Sequence, residues 1–310
     1  MRGWWRDLTD LVLPAECGGC GRPRTVLCDE CRAALGGAVP CRVRPAPEPS
    51  GLPVVHAAAR YADEARAVLL AHKERGALAL AGPLGTALAG AVRAGLAEAG
   101  TRVRVAVAGS GRDPGTEGDA PVLLVPVPSG RRAVRARGHD PTRRIALAAA
   151  GELRRTGTPA RVLAVLRQRR EVADQAGLDA RQRMDNLAGA LTVASGAGRL
   201  LDAGPVVLVD DLMTTGASLA EAARAVRAET SGARAYGRPE AAVGHGFVGV
   251  QPVYPRTGRE GREERTDGTT EGRPDPERAG RASAEPDGIR GLICAAVIAA
   301  PSDSFELNRN

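Results

Sequence analysis

Lysine is almost missing from this 310-residue chain: of 43 cationic side chains only Lys73 is a lysine, and the rest are arginine. That absence excludes an ATPase-type phosphate loop, Gly-x4-Gly-Lys-Ser/Thr, which needs a lysine at its end. Aromatic residues are scarce as well, with 2 Trp, 3 Tyr and 2 Phe. So few rings exclude a platform that stacks a single strand base by base, and leave electrostatics as the main route to nucleic acid. The longest uncharged run, Gly76 to Val92, is rich in Gly and Ala, contains Pro83, and is shorter than the roughly 20 residues of a membrane span. No transmembrane helix is expected. After Arg2 and Arg6, only Leu11, Val12 and Leu13 precede Pro14, too little for the roughly 7–15 apolar residues of a secretory signal. A cytoplasmic location is expected, which turns the cysteines toward metal or thiol roles rather than disulfides.

The formal net charge is +7. A basic balance ordinarily points to nucleic acid or phosphate partners, but the arginine, alanine and glycine excess resembles the coding bias of a GC-rich genome. Only the placement of the charge is therefore informative.

The length exceeds one average domain. Residues 1–45 are cysteine-rich, behind an opening helix whose face carries Trp4, Trp5, Leu8, Leu11 and Val12; the two Trp are read as packing residues, against a membrane or DNA-wedge role. A proline-rich linker, Pro45 to Pro53, leads into a helical region, 54–104, with helices at Asp63–Arg75 and Leu84–Glu98, then a Gly/Asp-rich insertion near 109–119. Residues 121–231 change texture: apolar Val122–Val127, helix Thr142–Arg154, apolar Val162–Leu166, apolar Val206–Val209 and helix Leu219–Ala228. Strands alternating with helices predict an α/β fold, a mostly parallel sheet flanked by helices. Residues 232–290 hold 10 Arg and 10 acidic residues without periodicity, and are expected to be a disordered insert. The apolar run Leu292–Ala300 is the candidate last strand, so the core is 121–231 plus 291–310.

The strongest local signal runs from Pro205 to Ser218. An apolar strand ends in Asp210 and Asp211, and Met213, Thr214, Thr215, Gly216, Ala217 and Ser218 then turn into a helix. Such a turn offers backbone N–H groups and hydroxyls to one phosphate, and Gly216 lets the backbone approach it. Carboxylates beside a phosphate cradle suit a phosphorylated sugar with Mg2+ bridging. Neighbours on a strand point opposite ways, so one Asp is expected to reach ribose or metal while the other orients the loop.

A second stretch, Arg131 to Arg144, carries six Arg and one Asp after a strand; guanidinium forks suit a pyrophosphate, and a solvated helix start is the alternative. His139 is read as structural. A third, Leu166 to Leu178 with Arg167, Arg169, Arg170, Asp174, Gln175 and Gly177, followed by Arg183, Asn186 and a strand-like Gly189–Val193, is either a lid that excludes water or a charged connection. Finally, Cys17, Cys20, Cys28 and Cys31 form two Cys-x2-Cys pairs seven residues apart. Paired knuckles match tetrahedral structural Zn2+, with disulfides as the alternative. Cys41 and Cys294 are left as a loop thiol and a buried strand residue.

The Asp210–Ser218 stretch is similar to the 5-phosphoribosyl-1-pyrophosphate (PRPP) signature of type I phosphoribosyltransferases. With the four-cysteine module, Val125-Pro-Val-Pro128, Arg135-Ala-Arg137-Gly138 and Asp174-Gln-Ala-Gly-Leu178 with Arg183 and Asn186, the chain resembles the ComF family over most of residues 10–231 and from Leu292. Lys73 stands at a recurrent lysine position of that family, and the Ser304-to-Asn308 tail also resembles it. His139-Asp140-Pro141 replaces the more usual Phe-Asn-Gln, Ser218 replaces a more usual Thr, and 232–290 has no counterpart. The resemblance implies a phosphoribosyltransferase-like core linked to DNA uptake in competent bacteria. Asp210 and Asp211 would face the ribose hydroxyls and Met213–Ser218 would wrap the 5-phosphate. Arg135 and Arg137 would stabilise the leaving pyrophosphate, with Mg2+ accompanying PRPP. The alternatives are a non-catalytic module that holds single-stranded DNA and a PRPP sensor.

Overall fold

The computed structural model describes residues 16–108, 120–170, 182, 186–235 and 292–305. The Trp4/Trp5 helix, the 109–119 insertion, Asp174–Leu178, Arg183 and the insert beyond residue 235 lie outside them.

The architecture is mixed α/β, with a mostly parallel sheet flanked by helices. Strands β1 (Cys41–Val43), β2 (Val55–Arg60), β3 (Val122–Pro126), β4 (Ala160–Val162), β7 (Val206–Leu212) and β8 (Ile293–Ala300) form a six-stranded sheet in the order β1-β2-β8-β7-β3-β4. Every pairing is parallel except β1 with β2. Strands β5 (Leu166–Gln168) and β6 (Leu191–Val193) make a separate antiparallel pair. The run Val162–Leu166 is thus two strand ends rather than one strand. Leu163 N–H donates to Leu124 C=O in the main sheet, whereas Val165 C=O accepts from Ala194 in the small one, so the chain changes sheets inside the apolar run.

Strand β2 lies inside the region read as helical. Its Val-His-Ala-Ala-Ala-Arg sequence is buried at every position but Arg60, because neighbours pair on both edges and helices cover its faces. Strands β7 and β8 are continuous apolar runs for the same reason.

Helices α1 (Asp29–Gly36), α2 (Asp63–Lys73), α3 (Ala81–Ala108) and α5 (Pro141–Arg155) pack on one face; α6 (Gly198–Leu201) and α7 (Ala217–Ala235) pack on the other. The short α4 (Arg131–Arg137) follows β3. Helix α5 starts on Asp140, whose carboxylate accepts from Arg143 N–H at 3.1 Å, with Pro141 in the first turn. Helices α3 and α5 touch backbone to backbone: a Cβ on Gly85 would sit 2.5 Å from Ala148 Cβ. Leu78–Gly100 is the one described segment long and apolar enough to cross a bilayer by composition. Leu80, Leu84, Leu88 and Val92 are instead buried in the core. Helix α7 runs on to Ala235, past the expected start of the insert.

Candidate functional site

Strand order sets where a site can form. The chain leaves β3 toward β4, on one side, and leaves β7 toward β8, on the other. Where neighbouring parallel strands send their connections opposite ways, a crevice opens beyond their carboxyl ends, the usual ligand position in open α/β sheets. Here β3 delivers the arginine-rich α4, and β7 delivers Asp210, Asp211 and the turn into α7.

The two carboxylates are held differently. Asp211 is buried, 5 % exposed, and its Oδ2 lies 2.8 Å from Lys73 Nζ at the end of α2. Asp210 is partly exposed, and its Oδ1 accepts from Asp211 N–H at 2.8 Å. Burial, then the adjacent Asp211 carboxylate, push Asp210 well above the usual carboxylate range despite Lys73. Burial works against the Lys73 ammonium, but Asp211, with Asp210 behind it, outweighs that and raises Lys73 above the ordinary lysine value. Next to Lys73, Glu74 takes Arg137 in a two-pronged pair at 2.8 and 3.2 Å. Glu74 is the site residue that the sequence reading missed, whereas Lys73 stands out as the solitary lysine among arginines.

After β7 the turn is only partly committed to the fold. Met213 is buried, and its N–H donates to Ala299 C=O at 3.0 Å. Its amide therefore serves the sheet, contrary to the expectation that it joins the cradle. Ala217 N–H makes a long contact, 3.5 Å, to Thr215 Oγ1. The N–H groups of Thr214, Thr215, Gly216 and Ser218 donate to no acceptor among the described residues. Gly216 has φ +75°, and a Cβ there would lie 3.1 Å from Leu52 and 3.3 Å from Pro45. Its role is the left-handed turn and contact with the proline-rich segment, which Arg227 ties down through Gly51 C=O at 2.7 Å.

Arg135 and Arg137 part company. Two residues apart on a helix, they point to different sides: Arg137 joins Glu74, while Arg135 lines a cleft of about 310 Å³ with Arg131, Arg132, Gln168, Arg169 and Arg170. Asn186 and Ala188 carbonyls accept from Arg170 at 2.8 and 3.2 Å. His139 Nδ1 meets Arg137 C=O at 3.1 Å, a backbone contact in keeping with a structural role.

The four cysteines converge. The Sγ atoms of Cys17, Cys20, Cys28 and Cys31 all lie within 4.8 Å of one another, and Cys20 and Cys28 are 3.6 Å apart. That is far beyond a disulfide of about 2.05 Å, and close to the roughly 3.8 Å edge of a tetrahedron with metal–sulfur bonds of about 2.3 Å. The knuckle is built by Cys17 N–H to Arg22 C=O and Gly21 N–H to Cys17 C=O, while Cys28 N–H points at Cys17 Sγ, 3.4 Å. Burial opposes the Cys17 thiolate, but N–H groups of Cys28, Cys20 and Gly19 outweigh it and bring Cys17 to about 6. Burial and then the neighbouring sulfurs push Cys31 the other way. A dication relieves such crowding of sulfurs, so the cluster can hold a metal such as zinc. It is seated on the core: a Cβ on Gly19 would collide with Cys31 Sγ and Val68, and one on Gly18 with Leu80. Of the other two cysteines, Cys294 is buried in β8 and pushed up to about 12 by burial, then by Glu98. Cys41 is exposed at the start of the edge strand β1 rather than in a loop.

Compared with known proteins, the chain matches no family model and no curated protein.

Proposed function

We propose that the chain binds PRPP with Mg2+ at the end of β7 and transfers its phosphoribosyl group to an acceptor, with release of pyrophosphate, as a phosphoribosyltransferase-like protein of the ComF type. One observation carries this reading: a carboxylate pair at the topological switch point runs directly into a turn whose Thr214, Thr215, Gly216 and Ser218 amides are unclaimed among the described residues. Those amides and the Thr214, Thr215 and Ser218 hydroxyls would take the 5-phosphate. Asp210, the more exposed carboxylate, would take the ribose diol, and Asp211 would act through Lys73. Asp210 also fits a cation, because its carboxylate is crowded by Asp211 and held above its usual range by burial. Mg2+ bound there would neutralise charge on the diphosphate.

In the transfer, the C1–oxygen bond to pyrophosphate breaks and its electron pair leaves with pyrophosphate. A lone pair of the acceptor forms the new bond to C1, and the acceptor's proton passes to solvent. Arg137, and Arg135 from the other side of α4, would offset the growing negative charge.

Calorimetry with Mg2+-PRPP, followed by analysis of phosphate products, tests the reading. Saturable binding with PRPP-dependent pyrophosphate release is expected, and both should fall sharply in Asp210→Ala. Release at the wild-type rate in that variant removes the proposal, whereas tight binding with PRPP recovered intact leaves a sensor. The link to DNA uptake rests on the resemblance alone.

A further inference from the structure

Two histidines meet between the helices that carry Lys73 and Arg137. His72, 1 % exposed, is the last buried residue of α2 and directly precedes Lys73. His139 follows Arg137 across Gly138, which caps α4 in the left-handed conformation with φ +75°. The two rings pack edge to face, their centroids 6.0 Å apart and their planes at 61°. The ends of α2 and α4 are therefore joined twice, by this contact and by the partly exposed pair of Glu74 with Arg137.

Ring packing alone does not call for imidazoles. His72 Nδ1 faces the Ala77 carbonyl at 3.3 Å, and His139 Nδ1 faces the Arg137 carbonyl at 3.1 Å. Carbonyls only accept, so each Nδ1 carries the hydrogen and each Nε2 keeps a lone pair. Both Nε2 atoms are buried with no hydrogen-bond partner among the described residues, a cost that an apolar side chain in the same place would not incur. A further proton can enter only at Nε2. Burial opposes that charge most on His72; the Ala77 and Pro141 carbonyls favour it, His139 and Arg144 of α5 oppose it, and His72 is held below the ordinary histidine value. The other charged groups next to the pair are engaged: Lys73 with Asp211, Arg137 with Glu74, and Asp140 with Arg143 N–H.

From this geometry we propose that His72 and His139 are positioning residues for the carboxylate site: their contact clasps α4 to α2, holds Arg137 in register with Lys73 and the two carboxylates, and opens when the pair takes up a proton. A charged imidazole cannot stay where its new N–H meets no acceptor and a second ring and a guanidinium stand close. Opening would free α4 and withdraw Arg137 from the site. That the clasp serves phosphoribosyl transfer rests on the PRPP reading; its opening by acid needs no ligand.

The test follows protection of residues 131–141 by hydrogen exchange in the full-length protein, corrected for the intrinsic exchange rate, between about pH 8 and about pH 5. In the wild type protection is expected to fall about fivefold or more on acidification, while the His72 ring signal titrates below the ordinary histidine value. His139→Ala should lose protection already at the upper pH, and His139→Phe should restore it. His72→Leu/His139→Phe, which leaves the pair no imidazole to charge, should keep protection down to the lower pH, with His139→Phe alone falling between it and wild type. Groups that titrate in every variant, Asp210 among them, cancel in that comparison, and circular dichroism at the upper pH establishes that the variants fold. Mg2+-PRPP affinity, measured on the same samples, should weaken less with acid in the double variant than in wild type. The clasp is overturned if wild type keeps its protection at the lower pH, if the double variant loses it as wild type does, or if His72 titrates as an exposed histidine. A wild type that opens with acid yet never binds Mg2+-PRPP supports the clasp and removes the PRPP reading. Binding with the same pH dependence in wild type and double variant removes the positioning role and leaves the PRPP reading standing.

Discussion

Lys73 Nζ and Asp211 Oδ2 lie 2.8 Å apart, joining the end of α2 to the end of β7 in a chain whose other cations are arginines. An ammonium is a compact point charge, whereas a guanidinium is a broad plate that needs room on both edges. Asp211 is buried beneath Lys73, which is about one-third exposed. Lys73→Ala would leave a carboxylate without its partner in a poorly solvated place. The expected loss is about 1–2 kcal/mol in urea unfolding, below the value for a fully buried pair because Lys73 keeps contact with water. Lys73→Arg should restore part of that stability. The raised Lys73 value means this contribution persists below the ordinary lysine range and disappears as pH climbs through the higher folded-state value.

Asp210 carries the opposite burden. Its value is raised in the folded state by burial and by Asp211, so the native state binds a proton more readily than the unfolded chain. Stability linked to Asp210 is therefore fully present below the ordinary aspartate range and declines as pH rises through the raised value. Asp210→Asn removes a charge that the fold disfavours near neutrality. It should stabilise the protein by about 1–2 kcal/mol at pH 7 and flatten that pH dependence while abolishing Mg2+-PRPP binding. Loss of stability in Asp210→Asn across the same pH range would contradict this account.

Much of this arrangement could be read from the chain, and the exceptions have physical causes. Strands β7 and β8 announced themselves because both faces are covered, which makes the sequence continuously apolar. Strand β2 gave no such signal: alanines at 57–59 pass for a helix, and only pairing with β8 makes them a strand. The carboxylates and the turn were legible as one contiguous string. Lys73 stood out as the solitary lysine and Arg137 as part of an arginine run, but their partners did not, since those pairings require α2 to meet β7 and α4 in space. The arginine cleft was visible only as two unrelated runs, because no sequence pattern states that α4 and β5 are neighbours.

Gly216 tests the turn itself. With φ at +75°, any other residue is strained, and a Cβ would press on Leu52 and Pro45 at 3.1 and 3.3 Å. Gly216→Ala should cost about 1–3 kcal/mol in chemical denaturation. Because the strain displaces the Thr214 and Thr215 amides, affinity for Mg2+-PRPP should fall by more than stability alone explains. A variant with normal PRPP affinity and lowered stability would confine Gly216 to a structural part.

Metal removal probes the other end of the molecule. Cys17, Cys28 and Cys31 are buried together with Leu27 and Leu35 against Val68, Leu80 and Leu84, so the cysteine segment covers part of the apolar face of α2 and α3. Without a cation, four sulfurs crowded within 4.8 Å cannot all ionise, and a segment this short has little core of its own. Purified protein is expected to contain about one zinc per chain by elemental analysis. A strong chelator, or Cys31→Ser, should remove it and lower stability by several kcal/mol. The resulting exposure of Val68 and Leu80 should appear as binding of a hydrophobic dye. Because α2 ends at Lys73, the same treatment should also loosen the pair with Asp211 and weaken Mg2+-PRPP binding, though every ligand of that site is intact. Metal-free protein of unchanged stability would show that sulfur packing alone holds the segment in place.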